Sequence, residues 1–184
     1  MLNNAKNLIS GLEETLKFES DKIEEIANII IDSVKNGNKI MICGNGGSAA
    51  ESQHFAAELI IRFKRERKSI PAISLTTDTS VLTACSNDYS FSQIFSRQIE
   101  GLAKSGDILI LLTTSGNSEN LVNAAKTAKE LKCIVISFTG NKSNKLEGVS
   151  DFIIKSRSEE TARIQEIQLF LIHNLADKVE AGLI

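Results

Sequence analysis

The fold is decided by one stretch of the chain, in which an apolar run passes through a glycine-rich turn into a helical pattern: Lys39-Ile40-Met41-Ile42-Cys43-Gly44-Asn45-Gly46-Gly47-Ser48-Ala49-Ala50. The apolar run has the length and β-branched content of a strand buried on both faces. The glycines allow a tight turn, and Ser48 stands where the next helix begins. A strand that leads directly into a helix is typical of a parallel, doubly wound sheet.

Four further apolar runs have the same character, at residues 72–75, 108–112, 134–138 and 152–154, and helical patterns separate them. Two amphipathic helices are expected over residues 1–36, the second ending at Asn36-Gly37. A long helix is expected over residues 159–180, with an apolar stripe of Ile164, Ile167, Phe170, Leu171, Leu175 and Val179. No linker or repeat interrupts the pattern, so we expect one α/β domain over residues 1–184 with a five-stranded parallel sheet.

Composition limits the kinds of partner. The 184 residues include 21 Lys and Arg and 23 Asp and Glu, a formal net charge of −2, so no wide basic surface for nucleic acid is expected. The one dense basic segment, residues 62–68, is interpreted as a solvated helix end and loop. No apolar run approaches membrane-spanning length, and residues 1–17 lack the features of a signal peptide. Three widely spaced cysteines, Cys43, Cys85 and Cys133, favour reduced thiols in a soluble cytoplasmic protein.

The glycine-rich turn is a candidate ligand site, because ligands bind outside the carboxyl ends of strands in such sheets. Free N–H groups at the start of the helix favour an anion near Ser48. Gly44, Gly46 and Ala49 also satisfy the dinucleotide pattern GxGxxA. A dinucleotide site would also need an acidic residue at the end of the second strand, and Asp78 comes too late to fill that position. The match to the dinucleotide pattern is therefore weak. A structural turn without any ligand is the remaining alternative.

A second polar turn follows the third strand and precedes a helix: Thr113-Thr114-Ser115-Gly116-Asn117-Ser118-Glu119-Asn120. Small hydroxyl side chains and backbone N–H groups together suit a phosphate, and the helix adds its positive end. The Gly-Lys-Ser/Thr ending of a nucleotide-binding P-loop is missing, so a monophosphate is favoured. The alternative is a capped helix start in which Asn117 or Ser118 serves only as the cap.

The chain has only two histidines, and both lie on predicted helices. His54 precedes Glu58 by four residues, which places the two side chains on one helix face. His173 follows Gln165 by eight residues, about 12 Å along an ideal helix. If a metal is held here, imidazole and carboxylate ligands suit zinc. Gln165 and His173 could share one ion only through a helix irregularity, extended side chains or ligation across subunits, and a purely structural role for each histidine stays open.

In combination these segments are specific, because they occur in the order and spacing of a known family. Taken with the glycine turn and residues 114–118, the diagnostic segments are Gln53-His54-Phe55-Ala56-Ala57-Glu58-Leu59, Leu75-Thr76-Thr77-Asp78-Thr79-Ser80, Asn87-Asp88-Tyr89 and Thr161-Ala162-Arg163-Ile164-Gln165-Glu166. The sequence closely resembles the sedoheptulose 7-phosphate isomerases of the sugar isomerase (SIS) domain superfamily. The resemblance covers nearly the whole chain.

The resemblance implies a flavodoxin-like three-layer sandwich made of a single SIS domain, with residues 1–36 packing on the domain and on partner subunits. It implies a cytoplasmic homotetramer with active sites at subunit interfaces and one zinc ion per subunit. The implied substrate is a phosphorylated seven-carbon sugar, and the implied pathway is ADP-heptose synthesis for lipopolysaccharide or capsule in bacteria. Neither a nucleic acid nor a membrane is an implied partner.

Residue roles follow from the resemblance position by position. The zinc ligands correspond to His54, Glu58, Gln165 and His173, and the acid/base pair corresponds to Glu58 and His173. Besides Glu58 and Gln165, the substrate-binding positions are Asn45, Gly46, Gly47, Ser48, Asn87, Asp88, Thr113, Thr114, Ser115 and Ser118. Thr113 departs from the Ser expected in many relatives but keeps the hydroxyl.

Two other functions are known for proteins of the SIS superfamily. A non-catalytic SIS protein that associates with a replication initiator keeps the glycine loop and first histidine but lacks the carboxylate and the last histidine. This chain has both Glu58 and His173, which favours the enzyme. A phosphosugar sensor on a transcription factor would need a DNA-binding module, and nothing in the sequence supplies one.

Overall fold

The computed structural model describes all residues from 1 to 184 and contains one parallel sheet of five strands. The strands are β1 (Ile40–Gly44), β2 (Ala72–Ser74), β3 (Ile108–Leu112), β4 (Ile134–Gly140) and β5 (Phe152–Ser156). Their order in the sheet is β2-β1-β3-β4-β5, the flavodoxin-like arrangement, and every neighbouring pair is parallel. The predicted fold class is confirmed.

Six α-helices connect and cover the strands: α1 (Leu2–Lys35), α2 (Gly47–Ile60), α3 (Thr79–Asp88), α4 (Ser96–Leu102), α5 (Glu119–Glu130) and α6 (Thr161–Gly182). Short 3₁₀ turns lie at Phe91–Gln93 and Lys145–Gly148. None of the helices is both long enough and apolar enough to span a bilayer.

The alternation of side chains along the central strands builds two cores, one on each face of the sheet. Ile40 and Ile42 of β1 join the core beneath α1, α2 and α6, whereas Met41 and Cys43 join the core beneath α3, α4 and α5. Because both faces are covered, β1, β3 and nearly all of β4 are fully buried, as their apolar sequences predict.

The prediction of two N-terminal helices is wrong, since a single helix of 34 residues runs from Leu2 to Lys35. No proline lies within it, and its glycine, Gly11, does not interrupt it. A Cβ at Gly11 would stand 2.9 Å from the carbonyl oxygen of Arg157, so the glycine permits close packing against the segment after β5. Gly11 is therefore a site of close packing between α1 and the segment after β5, and the helix continues through it.

The prediction that every strand is buried on both faces fails at the two edges. Ile73 of β2 is 39% exposed, and three of the five residues of β5 are only half-buried. The stripe predicted for the last helix is also partly wrong, because Phe170 is 39% exposed while the other five residues are buried. Strands β2 and β5 lie at the edges of the sheet, and how much of α6 its neighbours cover depends on tertiary packing. A local sequence pattern shows neither property.

The strand order reverses between β1 and β3, which lie side by side while β2 lies on the outer side of β1. The carboxyl ends of β1 and β3 therefore open onto the crevice where such sheets bind ligands. The glycine-rich turn follows β1, and the hydroxyl-rich turn follows β3.

Candidate active site

The glycine-rich turn delivers α2 to the crevice. Gly46 occupies the position before the helix with φ +58°, a conformation that a side chain would strain. No side chain caps the first turn of α2, but the N–H groups of Ser48 and Ala49 already donate to the backbone carbonyls of Asn45 and Gly46, both at 3.0 Å. An anion at this turn would have to be bound by N–H groups that precede Ser48, such as that of Gly47, and the anion-binding role stays a prediction.

The turns after β1 and β3 are joined by a reciprocal amide pair. Asn45 donates to the side-chain oxygen of Asn120 at 2.9 Å, and Asn120 donates to that of Asn45 at 2.8 Å. Asn120 is buried in the first turn of α5. Asn120 was not among the predicted site residues, although an amide in the first helical turn beyond a hydroxyl-rich segment was the available signal.

The turn after β3 is organised by its own hydrogen bonds. The Thr113 hydroxyl accepts from the N–H of Gly116 at 3.2 Å, and the Ser115 hydroxyl accepts from the N–H of Asn117 at 3.2 Å. Ser118 holds the position before α5, but its hydroxyl caps nothing. The turn therefore keeps hydroxyl groups free for a ligand, which weakens the interpretation that Ser118 serves only as a cap.

A polar cavity of about 250 Å³ adjoins this turn. Thr114 and Ser115 form one wall, and residues 140–143 together with residues 158, 159 and 161 form the others. The cavity lies at the carboxyl ends of β3, β4 and β5, where a phosphate could be reached by hydroxyl and backbone donors.

Helices α2 and α6 bring three chemically active side chains together. The Nε2 atoms of His54 and His173 lie 2.7 Å apart, and the His54 Nε2 lies 3.2 Å from a carboxylate oxygen of Glu58. The ligand atoms of all three residues fall within 4.8 Å of one another. The predicted helical face is therefore observed, and His173 joins it from 115 or more residues away in the chain.

The His173 ring is partly shielded from water. Phe63 stacks on it, with ring centroids 5.4 Å apart and an interplanar angle of 24°. Burial, and then the electrostatic effect of the neighbouring His54, lower the pKa of His173 from its usual value, against an opposing effect of Glu58. A lowered pKa keeps the imidazole neutral near pH 7, the form that binds metals.

Gln165 lies near the start of α6, beside the start of α2. A Cβ placed on Gly47 would stand 2.5 Å from the Gln165 amide nitrogen, and that nitrogen is 3.5 Å from the Ser48 hydroxyl. Helix α6 is continuous from Thr161 to Gly182, so no irregularity shortens the distance of about 12 Å along the axis to His173. Within one chain, Gln165 is placed with the glycine turn and not with the three-residue cluster.

The predicted sugar-contacting pair ends α3. Asn87 and Asp88 are exposed, and the Asn87 amide donates to the Asp88 carboxylate at 2.8 Å. Neither side chain is hydrogen-bonded to the glycine turn, to the turn after β3 or to the three-residue cluster. Their role as substrate contacts stays a prediction.

Glu51 lies in α2 and was not among the predicted site residues. It lies three residues before His54 and seven before Glu58, the spacing of one helix face, which was the available signal. One of its carboxylate oxygens is buried without a hydrogen-bond partner. Burial raises the pKa of Glu51 to about 7.

Comparison with known proteins gives the geometry a context. The protein-family model of the SIS domain matches residues 2–140 of the sequence. A phosphoheptose isomerase of Aquifex aeolicus is 49% identical over 184 residues, covering 98% of this chain and 96% of its own, and one of Helicobacter hepaticus is 50% identical over 159 residues, covering 86% and 81%. The chain belongs to the phosphoheptose isomerase family of SIS-domain proteins.

Solved structures of phosphoheptose isomerases have the same fold over nearly their whole length. The structure from Francisella tularensis superposes with a TM-score of 0.94 at 35% identity, covering 97% of this chain and 95% of its own. The structure from Neisseria gonorrhoeae gives 0.93 at 37% identity, covering 98% and 96%. Membership of the phosphoheptose isomerase family makes the protein an isomerase, and it confirms the family predicted from the sequence.

Proposed function

We propose that the protein converts D-sedoheptulose 7-phosphate to D-glycero-D-manno-heptose 7-phosphate through an enediolate. The observation that carries the proposal is the meeting of His54, Glu58 and His173 beside a crevice whose other side is rich in free hydroxyl groups. The relatives named phosphoheptose isomerase support the same reaction.

We propose zinc as the cofactor, one ion per subunit. Two imidazole nitrogens and one carboxylate oxygen within 4.8 Å form a donor set that suits zinc. His54, Glu58 and His173 would hold the ion, and Gln165 is the fourth ligand that the family resemblance assigns. When bound, zinc would act as a Lewis acid that stabilises negative charge on the substrate oxygens.

The protein side chains carry the proton transfers. Converting a 2-ketose to an aldose requires removal of a proton from C1 and delivery of one to C2. The Glu58 carboxylate is assigned removal of the proton from C1, and this proton is then delivered to C2. The His173 imidazole is assigned transfer of the hydroxyl proton from the C1 oxygen to the C2 oxygen, so that both protons are accounted for. Phe63 holds the His173 ring by stacking, which orients its nitrogens towards His54 and Glu58.

The sugar phosphate is assigned to the turn after β3. Thr114, Ser115 and Ser118 offer hydroxyl groups, and the start of α5 adds backbone N–H donors. Binding energy gained at this distal group fixes the register of the substrate without touching the reacting carbons. Asn45, Gly46, Gly47 and Ser48, together with Asn87 and Asp88, are assigned to the sugar hydroxyls.

We also propose a cytoplasmic homotetramer whose active sites lie at subunit interfaces and whose product enters ADP-heptose synthesis. The exposed apolar side chains at the end of α2 and on α6, Ile60, Ile61 and Phe170, support an interface next to the three-residue cluster. The separation of Gln165 from His173 within one chain supports ligation completed by a second subunit. Light scattering of the purified protein would measure the assembly, and a stable monomer would overturn this part of the proposal.

The reaction is tested by incubating purified protein with sedoheptulose 7-phosphate and following the aldoheptose product. The assay is run on the protein as isolated, after chelation and after zinc is restored. Conversion that is lost on chelation and regained with zinc supports both the reaction and the metal. Absence of conversion by folded, zinc-replete protein would overturn the proposal and favour a non-catalytic SIS binding protein.

A further inference from the structure

The carboxylate of Glu180, near the end of α6, is fully buried beneath the loop that follows α2. It accepts hydrogen bonds from three successive backbone N–H groups, those of Phe63 at 3.0 Å, Lys64 at 2.9 Å and Arg65 at 2.8 Å. A buried carboxylate is costly unless its oxygens are satisfied in this way. These bonds outweigh the effect of burial and hold the pKa of Glu180 below its usual value.

Arg67 extends this arrangement to the end of α2. Its side chain is only 3% exposed, and its Nε lies 3.3 Å from a carboxylate oxygen of Glu180. The Arg67 guanidinium also donates to the backbone carbonyl of Glu58 at 2.9 Å. One ion pair therefore links the last turn of α6 to the backbone of the residue assigned as the base.

The same loop reaches the second acid/base residue. Phe63, whose N–H is bound by Glu180, stacks its ring on His173 at 5.4 Å between centroids. Glu180 lies seven residues after His173, about two helical turns away, so it touches neither the imidazole nor the substrate crevice itself. Its side-chain contacts towards the site run through the loop and Arg67.

We infer that Glu180 is a positioning residue of the active site, which fixes Glu58 through Arg67 and His173 through Phe63. The inference rests on the proposed function, because it concerns the placement of the proposed base, acid and metal ligands. Residues that orient metal ligands change metal affinity or activity by about 10- to 100-fold when they are removed. A role confined to holding the chain together would instead lower stability without a selective loss at the site.

Glu180→Gln replaces one acceptor oxygen of the carboxylate with an NH₂ group. This group is a donor and would face the backbone N–H donors of the loop. We expect kcat to fall about 10-fold and zinc affinity to fall by a similar factor. KM should stay within about twofold, because the phosphate turn after β3 does not contact this network. Zinc affinity is measured by competition with a coloured chelator, independently of turnover.

Asp177→Asn is the matched control. Asp177 lies one turn earlier on α6 and contacts the same loop. Its half-buried carboxylate is bound only by the side chains of Lys64 and Arg65. It accepts from none of the backbone N–H groups that Glu180 holds. We expect this variant to keep kcat, KM and zinc affinity near the wild-type values.

A second pair of variants covers the case in which Glu180→Gln fails to fold by circular dichroism. Phe63→Leu removes the ring that stacks on His173, and Phe63→Tyr retains it. We expect Phe63→Leu to lower kcat and zinc affinity about 10-fold and Phe63→Tyr to restore both.

The outcomes separate this inference from the proposed function. Wild-type protein that binds zinc but converts no sedoheptulose 7-phosphate overturns the function, and the zinc competition then still decides the positioning role. Folded Glu180→Gln that matches Asp177→Asn in both kcat and zinc affinity overturns the inference. If Glu180→Gln does not fold, wild-type kcat and zinc affinity in Phe63→Leu overturn it.

Discussion

The two sides of the crevice are built in different ways. The turn after β3 takes its shape from hydrogen bonds of Thr113, Ser115 and Asn117 that span two or three residues, and longer-range bonds, such as that from the Lys145 N–H to the Asn117 side chain, anchor it. The cluster of His54, Glu58 and His173 is assembled by tertiary packing, because four of the five strands, β2 to β5, separate α2 from α6 in the sequence. The first side offers uncharged donors, and the second offers groups that exchange protons and bind metals.

This difference predicts a division of labour. Hydroxyl and backbone donors bind a phosphate equally well before and during the reaction, so their loss should affect KM. Titratable groups act on the charge that develops in the transition state, so their loss should affect kcat. Variants on the two sides of the crevice test whether KM and kcat respond in this way.

Glu58→Gln should have the largest effect. The amide cannot accept a proton from carbon, and we expect kcat to fall about 1,000-fold with little change in substrate binding. The measurement is steady-state turnover of sedoheptulose 7-phosphate together with ligand-induced thermal shift. Glu66→Gln, at an exposed carboxylate in the nearby loop, is the control and should stay active. An active Glu58→Gln variant would refute the assignment of the base.

His173→Ala should be the next most severe change. It removes an imidazole whose Nε2 lies 2.7 Å from that of His54, so we expect kcat to fall about 100-fold and bound zinc to decrease. Turnover and zinc content by atomic absorption are the measurements. Asn174→Ala on the same helix, where the side chain bonds only to its own helix, should change neither. Unchanged turnover and zinc content would remove His173 from the site.

Ser115→Ala tests the other side of the crevice. One hydroxyl bond to an ionised phosphate is worth about 1.5–3 kcal/mol, so we expect KM to rise about 10-fold or more while kcat changes little. Initial rates over a range of substrate concentrations give both constants. Ser86→Ala, whose hydroxyl bonds within α3, should leave both unchanged. A normal KM in Ser115→Ala would place the phosphate elsewhere.

The contrast between the two sides also explains what the sequence could and could not predict. Residues 108–118 form a buried strand followed by a polar turn, and both features are local, so their positions were predicted directly. The spacing of His54 and Glu58 likewise predicted a shared helix face. Which partner would meet that face from α6 was not encoded locally, and it came only from the resemblance to the family.

Other features needed the tertiary structure. The loop that follows α2 was interpreted as a solvated basic segment, yet Arg67 within it is buried against Glu180. The charge pattern could not show that a carboxylate more than 100 residues later would cover it. The position of Gln165 beside Gly47 similarly depends on how α2 and α6 pack side by side.

Glu51→Gln should have the smallest effect of these variants. Its effect on stability should depend on pH, whereas that of Ser115→Ala on the other side of the crevice should not. Burial raises the pKa of Glu51 to about 7, above its usual value of 4.5, so folding favours the protonated carboxyl. The unfolded chain ionises this group as pH rises past 4.5, and the folded protein resists until about pH 7. Glu51 therefore costs stability increasingly across that range and fully above it.

The neutral amide of Glu51→Gln escapes this cost at every pH. Because the carboxyl keeps part of its hydration, we expect the variant to gain only about 1 kcal/mol more stability at pH 8 than at pH 5, relative to wild type. Urea unfolding at the two pH values measures the difference, and Glu66→Gln, at an exposed carboxylate, should show none. Ser115→Ala should also show no such pH dependence, because neither the Ser115 hydroxyl nor the Asn117 N–H that it accepts from titrates in this range. An equal gain for Glu51→Gln at both pH values would mean that its carboxyl is hydrated in the folded protein.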